Sequence, residues 1–330
     1  MSSQRAPGTA PRRRARLRRS GAWLFLVVLI VSGAVAIGTH HALASRDSDR
    51  DGGSSGLGGP SSGGEAVDSS LFANGSCVEF QPTAGDRHKT VFLDAGHGGL
   101  DPGALGSTEA GKTIYEADET LPVELDALAL LRAQGFAVVV SRTGASTVLR
   151  LKPGDVSEGV LSLTGAHDEV AARDICANDA HADLLVGIYF DASYSSGTAG
   201  SLTAYDAVRE FSTSNLRLAR LLQTTVLDDM NAQGWAIPND GVETDAGLGS
   251  SNGDPSTGGL AAKSAEYDHV MLIGPAMAGY FSTPSEMPGA VIEPLYITDP
   301  FEGSIAASAH DQTVMAKGIA SAIEKYFGAS

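Results

Sequence analysis

The sequence predicts an α/β domain built as a three-layer sandwich, in which helices flank a mixed, largely parallel sheet. Short apolar runs bounded by polar or Gly-rich turns alternate with longer segments whose apolar residues recur at helical spacing. Strands that alternate with helices usually lie parallel, because each helix carries the chain back across the sheet. The pattern covers about 240 residues, which fits a single domain.

The elements follow in order from residue 90. A short apolar run at residues 90–94 ends in Gly-rich sequence and predicts a buried strand. The first helix, at 119–134, carries leucines at helical spacing until Gly135 ends it. Further strands are predicted at 136–140, 184–190, 200–205 and 290–296, and further helices at 164–180, 213–232 and 312–327. Residues 239–259 contain many Gly and no periodicity, which predicts a long surface loop.

Residues 1–44 form a separate region. Seven Arg and no acidic residue precede an uncharged apolar run at 22–38. This pattern keeps an N-terminus in the cytoplasm and sends the following chain outward. The run has the minimum length for a transmembrane helix, and Ala42-Leu43-Ala44 offers a signal-peptide cleavage site. A retained transmembrane anchor and a cleaved signal peptide both remain open, and both place the domain outside the cytoplasm.

The next region, residues 45–75, is Gly/Ser-rich and predicts a disordered linker, so we expect the domain at 76–330. The chain carries 23 Lys and Arg against 39 Asp and Glu, a net charge of −16. Because seven Arg lie in the N-terminal region, the rest has 16 basic and 39 acidic residues, a net charge of −23. So acidic a body repels a phosphate backbone, which excludes nucleic acid as a partner. We expect a monomer.

Cys77 and Cys176 are the two cysteines of the chain, and both lie in the exported part. An even pair in an oxidising compartment favours a disulfide. A pair of buried free thiols is the alternative.

Three polar residues lie where α/β proteins place their sites, near the carboxyl ends of strands. His97 follows the first strand among glycines, Glu116 precedes the first helix, and Glu293 lies in the apolar segment of the last strand. A buried carboxylate such as Glu293 is unfavourable unless it is paired or bound to a metal. Arg142 and Arg173 are expected to have structural roles.

These segments resemble those of the zinc-dependent N-acetylmuramoyl-L-alanine amidases of type 3, cell-wall hydrolases that cut the bond between muramic acid and the peptide stem of peptidoglycan. VFLDAGHGGLDPGALG (91–106) is similar to the opening strand and first metal ligand, YEADETL (115–121) to the segment of the second ligand, and GFAVVVSRT (135–143) to the next strand. AARDICANDAHADLLVGIYFDAS (171–193) resembles the segment leading to the third ligand. PGAVIEPLYITDP (288–300) resembles the stretch with the catalytic Glu.

The resemblance implies one Zn²⁺ bound by His97 and Glu116, with Glu293 as general base and peptidoglycan as the substrate. Zinc with three protein ligands keeps a position for water and lowers the pKa of that water toward 7. A nearby carboxylate then takes the proton as the water attacks the amide. The implied reaction is hydrolysis of the amide between N-acetylmuramic acid and L-alanine.

The resemblance breaks at the third ligand. The family has a His in a Ser-Ile-His pattern, whereas this chain reads GIY at 187–189, so Tyr189 stands in the position of the His. Tyr189 as a phenolate, Asp191 two residues later, or His181 or His269 from elsewhere are the alternatives for completing the site. If none does, the domain binds peptidoglycan or regulates other wall hydrolases without cutting.

Overall fold

A computed structural model describes residues 63–67, 70–248 and 259–328. The apolar run at 22–38 and the Ala-Leu-Ala sequence lie outside the described residues, as do residues 249–258 of the predicted loop. Within the part of the chain that is described, no helix combines the length and apolarity needed to span a bilayer.

The strands and helices confirm an α/β domain. The strands are β1 (Glu65–Ala66), β2 (Ser76–Phe80), β3 (Thr90–Ala95), β4 (Leu105–Ser107), β5 (Thr113–Tyr115), β6 (Ala137–Arg142), β7 (Val156–Ser157), β8 (Val160–Leu161), β9 (Leu184–Ile188), β10 (Ser201–Tyr205), β11 (Asn239–Thr244) and β12 (Gly289–Glu293). The helices are α1 (Glu116–Ala133), α2 (Leu163–Asp179), α3 (Ser212–Ala232), α4 (Gly259–Glu266), α5 (Pro300–Ala306) and α6 (Ala309–Gly328). Every predicted strand and helix occurs, with bounds within three residues of the prediction.

The main sheet has the strand order β1-β2-β6-β3-β9-β12-β10-β11 among the described residues. Its centre is parallel, since β6, β3, β9 and β12 run in the same direction. β10 runs antiparallel to β12 and parallel to β11. At the other edge, β2 is antiparallel to both of its neighbours. The sheet is therefore mixed and largely parallel, as predicted.

Each face of the sheet covers its own core, because side chains alternate along a strand. Val91 and Leu93 point to the face covered by α1, α3 and α6. Phe92, between them, packs on the opposite face with residues of α2, including Ala172. Helices on one face, the sheet, and α2 with later segments on the other give the three predicted layers.

The prediction of a surface loop at 239–259 was wrong for the first six of these residues. Asn239–Thr244 forms β11, which pairs with β10 at the edge of the sheet. A strand at the edge of a sheet is partly exposed to solvent, so it does not need the apolar side chains that mark an inner strand. The helix α4 begins at Gly259, where the loop was expected to end.

The domain also begins earlier than residue 76. In the segment assigned to the linker, β1 pairs with β2, and Phe72 is buried with 2% of its surface exposed. Backbone hydrogen bonds join Ala73 N to Val148 O at 2.8 Å and Arg150 N to Leu71 O at 2.8 Å. A two-residue strand and one buried aromatic residue produce no periodic pattern in a Gly/Ser-rich sequence. The composition alone therefore could not predict them.

Cys77 and Cys176 form a disulfide, as favoured from the sequence. Cys77 belongs to β2 and Cys176 to α2, and both are fully buried. The bond therefore ties the edge of the sheet to the helix that covers it.

Candidate active site

The residues singled out from the sequence lie close together at the carboxyl ends of the inner strands. The parallel strands β3, β9 and β12 end there, and each is followed or ended by one of these residues. A cleft that is open to solvent is lined by His97, Glu116, Tyr189, Asp191 and Glu293 together with apolar side chains. The structure thus brings all five candidates together.

The backbone at His97 is held by a buried arginine from α2. His97 adopts a left-handed conformation with φ of 63°, which a non-glycine residue rarely does without support. Arg173 supplies it, since Nη2 donates to the His97 carbonyl at 2.8 Å and Nη1 donates to the Ala95 carbonyl at 2.9 Å. Asp94 and Glu169 balance the charge of Arg173. The structural role expected for Arg173 is confirmed.

The imidazole of His97 lies between two carboxylates. Its Nδ1 is 2.8 Å from Asp101 Oδ2, and its Nε2 is 3.1 Å from Glu116 Oε2. Burial lowers the pKa of His97, but the charges and hydrogen bonds of Asp101 and Glu116 outweigh that effect and raise the pKa to about 10. The arrangement therefore favours positive charge at this ring.

Glu116 is fixed by the start of α1. Its Oε1 accepts a hydrogen bond from Phe190 N and its Oε2 from Ala104 N, each at 2.9 Å. Gly103, with φ of 66°, lets the chain pass against both side chains, since a Cβ there would lie 2.7 Å from His97 Cδ2 and 2.8 Å from Glu116 Oε2. The pair can approach this closely only with glycine at 103.

Asp191 and Glu293 form a second carboxyl pair in the cleft. The Asp191 carboxyl lies close to Glu293 and Tyr296, and it accepts from Ala192 N at 2.6 Å. Burial raises the pKa of Asp191 to about 6, and burial together with the charges of Asp191 and Glu116 raises the pKa of Glu293 well above its usual range. Glu293 Oε2 is buried without a hydrogen-bond partner. Such an oxygen is suited to receive a proton or a bound group.

Tyr189 directs its hydroxyl to Asp94. The hydroxyl donates to Asp94 Oδ2 at 3.0 Å, and its ring meets the His97 ring edge-on with centroids 5.4 Å apart. The ring packs against Gly96, where a Cβ would lie 2.5 Å from it. Burial, followed by the charge of Asp94, raises the pKa of Tyr189 well above its usual range.

The sequence profile of the N-acetylmuramoyl-L-alanine amidases matches residues 91–325, most of the chain. The chain belongs to this family. The amidase is thus a peptidoglycan hydrolase that cuts the amide bond between N-acetylmuramic acid and the L-alanine of the stem peptide, as the sequence resemblance implied.

Solved structures support the fold. The amidase resembles the CwlD amidase from Clostridioides difficile, solved in complex with the GerS lipoprotein, with a TM-score of 0.55 and 20% identity over 73% of this chain and 100% of that chain. It also resembles Cwp6 from Clostridium difficile, with a TM-score of 0.50 and 21% identity over 73% of this chain and 29% of that chain. No curated protein sequence matches the chain.

Arg142 ties the turn that follows β3 to α1. It donates to the carbonyls of Ala117 at 2.7 Å, Gly96 at 3.2 Å and Ala95 at 3.3 Å. Its role is therefore structural, as expected, although it binds backbone carbonyls rather than an acid.

Neither His181 nor His269 lies beside His97. His181 is exposed and precedes β9, at the edge of the sheet opposite the carboxyl ends of β3 and β9. His269 lines the same cleft, but its Nδ1 faces Asp245 Oδ2 at 3.2 Å and Asp206 Oδ2 at 3.3 Å. Sequence reasoning missed the role of Asp101. Its position four residues after His97, in the same Gly-rich turn, was the available signal.

Proposed function

We propose that the amidase hydrolyses its substrate with one Zn²⁺ held by His97, Glu116 and Asp191, and with Glu293 as general base. The observation that carries the proposal is the approach of His97 Nε2 to Glu116 Oε2, at 3.1 Å, in the cleft that Asp191 and Glu293 also line. One ion can bridge two donors at that separation. Zinc dependence is general in the family.

The types of donor suit zinc, and the Asp191 carboxylate would turn toward the other two ligands on binding, since none of its oxygens lies within 4.8 Å of both His97 Nε2 and Glu116 Oε2. An imidazole nitrogen and carboxylate oxygens are the usual ligands of catalytic zinc, and three protein ligands leave a position open. Zinc-bound histidines usually donate their other ring nitrogen to a carboxylate, which fixes the tautomer. Asp101 stands in that position at His97 Nδ1.

Asp191 is the better third ligand, compared with Tyr189. The Tyr189 hydroxyl donates to Asp94, which is itself paired with Arg173, so its proton is engaged away from Glu116. The Asp191 carboxyl lies against Glu293. We therefore assign Tyr189 to the packing of the His97 turn, and Asp191 to the metal.

The chemistry follows from these positions. Bound in this site, zinc supplies a Lewis acid that polarises the amide carbonyl and lowers the pKa of water. Glu293 takes a proton from the attacking water and returns it to the nitrogen of the leaving L-alanine as the carbon–nitrogen bond breaks. Asp191, which lies against Glu293, helps to position the Glu293 carboxyl. The products are the carboxylate of the muramic acid and a stem peptide with a free amine.

The role of Glu293 is tested with Glu293→Gln, which keeps the shape and removes the base. We expect release of peptides with N-terminal alanine from purified peptidoglycan to fall at least about 100-fold, with zinc content unchanged. Glu286→Gln, an exposed acid ahead of the same strand, is the matched control and should keep full activity. Unchanged peptide release from Glu293→Gln refutes the general-base assignment.

The ligand assignment is tested by zinc titration of the metal-free chain. His97→Ala and Asp191→Asn should each weaken zinc binding at the His97 site by more than about 100-fold, because each removes a direct ligand. Tyr189→Phe should change the affinity little, since it removes only the hydrogen bond to Asp94. If Tyr189→Phe loses the metal and Asp191→Asn keeps it, the third ligand is the phenol instead.

We also propose that the domain works outside the cytoplasm, bound to the membrane through its N-terminal segment or released to the cell wall. The action of the family on peptidoglycan, the arginine-rich N-terminus and the disulfide support this location. N-terminal sequencing of the mature protein from cells separates the alternatives. A start after Ala44 indicates a cleaved signal, and an intact N-terminus in the membrane fraction indicates an anchor. Recovery of the protein from the cytoplasm contradicts both.

A further inference from the structure

A second group of side chains that offer metal-ligand atoms adjoins the cleft through His269, which lines it. Asp206 directly follows β10 and Asp245 directly follows β11, and the residues before them, Tyr205 and Thr244, are paired in register. Because β10 and β11 are parallel, the two carboxylates emerge side by side. His269, from the segment after α4, meets them, and one ligand atom from each of the three residues lies within 4.8 Å of the others.

This cluster is separate from the catalytic residues. Glu293 pairs with Leu202 across β12 and β10. Asp206 lies four residues farther along β10, roughly 13 Å away at about 3.3 Å per residue. The metals of two-metal hydrolytic sites lie only about 3.5–4 Å apart. An ion at the cluster therefore takes no direct part in the reaction at Glu293.

Each of the two carboxylates has one oxygen that lacks the donor its burial requires, while backbone amides donate to the other oxygen. Asp206 and Asp245 are both fully buried. His269 Nδ1 carries at most one hydrogen, yet it faces Asp245 Oδ2 at 3.2 Å and Asp206 Oδ2 at 3.3 Å. The hydrogen bond goes to Asp245, which leaves Asp206 Oδ2 and Asp245 Oδ1 buried without hydrogen-bond partners. Buried oxygens of this kind are rare unless a bound group satisfies them.

We propose that Asp206, Asp245 and His269 bind a divalent transition-metal ion, in a second site of the Zn²⁺ type. An ion in place of the single hydrogen contacts all three residues at once, and its two charges balance the two carboxylates. The imidazole favours zinc or a similar metal over calcium and magnesium, which prefer oxygen ligands alone. The cleft, which His269 lines, gives the ion a route to the site.

The ion would hold one wall of the cleft. Tyr267, Val270 and Leu272 line the cleft from the segment that carries His269. The sheet holds this segment through Val270 N, which donates to Asp245 Oδ2 at 3.2 Å, and through Gly247 N, which donates to the Asp268 carbonyl at 3.1 Å. Coordination of His269 adds a stronger link between the same two parts.

The test counts zinc in the full chain carrying His97→Ala, where the catalytic site is disabled. We expect calorimetric titration of the metal-free protein to show one Zn²⁺ per chain. Adding Asp245→Asn should weaken that binding at least about 100-fold, because it removes a ligand with little change of shape. Asp268→Asn, an exposed acid beside His269, is the matched control and should bind zinc as before. A His97→Ala chain that binds no zinc, or an Asp245→Asn chain that binds it unchanged, overturns the proposal.

A second measurement avoids any change in the cluster. Zinc at 100 times its dissociation constant lowers the unfolding equilibrium constant of the His97→Ala chain about 100-fold, seen as a higher melting temperature. A melting temperature unmoved by zinc overturns the proposal, whether or not the Asp245 variant folds. This result does not depend on the proposed catalytic site. Because His97→Ala removes zinc from that site, one Zn²⁺ per His97→Ala chain can come only from the second cluster.

Discussion

At the scale of single residues, the hydrogen bond between Asp101 and His97 decides which ring nitrogen is free for a metal. Asp101 Oδ2 lies 2.8 Å from Nδ1 and holds a hydrogen there, so an ion that binds Nε2 would replace the other ring hydrogen. An amide in place of the carboxylate donates to Nδ1 and leaves the hydrogen on Nε2 instead. The wrong tautomer then faces Glu116.

We therefore expect Asp101→Asn to weaken zinc binding about 10- to 100-fold, the usual effect of losing such a partner. Asp168→Asn is a matched control. It removes another contact to a histidine Nδ1, from His167 to Asp168 Oδ1, also at 2.8 Å, but not to a proposed zinc ligand. Zinc titration of both variants checks the prediction, and equal affinity in Asp101→Asn and the wild type contradicts it.

Glu124 is a buried acid outside the pair formed by Asp191 and Glu293. Its Oε1 accepts from Ala95 N at 2.9 Å and from Ser141 N at 3.2 Å, while its Oε2 has no partner. Burial outweighs the attraction of Arg142 and raises the pKa of Glu124 from 4.5 to about 8. The folded protein therefore keeps a proton that the unfolded chain loses between these values.

This difference makes stability depend on pH. Between pH 4.5 and 8 the folded state binds more protons than the unfolded state, so the free energy of unfolding falls as pH rises, by at most about 1.4 kcal/mol per unit for this group. Glu124→Gln, which is neutral at every pH, should flatten that slope. Urea unfolding at several pH values checks it, with Asp118→Asn, an exposed acid of the same helix, as the control. A slope equal to that of the wild type shows that Glu124 is ionised in the fold.

At the scale of elements, the inner strands were predictable and the edge strands were not. β3, β6, β9 and β12 are buried on both faces, so each is a continuous apolar run that the sequence displays directly. β1 and β11 lie at the edges and are largely exposed, and their composition matches that of a loop. Polarity alone therefore cannot distinguish an edge strand from a linker.

The same limit applies to the sites. That His97, Glu116 and Glu293 would meet in one cleft was predictable, because each lies beside or at one end of a recognisable strand or helix within a motif. Asp206, Asp245 and His269 come from a strand end, an unrecognised strand and a loop, and only the pairing of β10 with β11 brings them together. Nothing local in the sequence indicates that pairing.

The segment before β2 behaves as part of the domain, and Phe72 is the residue that shows it. The ring is buried in the same core as Val139 and Val148. Phe72→Ala should therefore lower the free energy of unfolding by about 3–5 kcal/mol, the usual cost of emptying a buried aromatic site. Leu105→Ala, at a side chain that is 57% exposed, should cost far less. If urea unfolding gives both variants the stability of the wild type, the domain starts at residue 76 after all.

At the scale of the whole molecule, the disulfide links parts of the chain that fold far apart in sequence. Cys77 and Cys176 are 99 positions apart in the sequence, and the chain between them includes β3, α1 and β6 together with His97 and Glu116 of the cleft. A cross-link over a loop of this length restricts the unfolded chain far more than the folded one. In the chain-entropy account it stabilises the fold by about 4–5 kcal/mol.

Reduction should therefore lower the free energy of unfolding of the amidase by about that amount, measured by urea unfolding with and without a thiol reductant. The variant with Cys77→Ala and Cys176→Ala separates the cross-link from the packing of the sulfur atoms, because it has no bond to reduce. It should be about as stable as the reduced wild type and insensitive to the reductant. A wild type whose stability is the same before and after complete reduction contradicts the prediction, since the two buried thiols would then hold β2 and α2 together by packing alone.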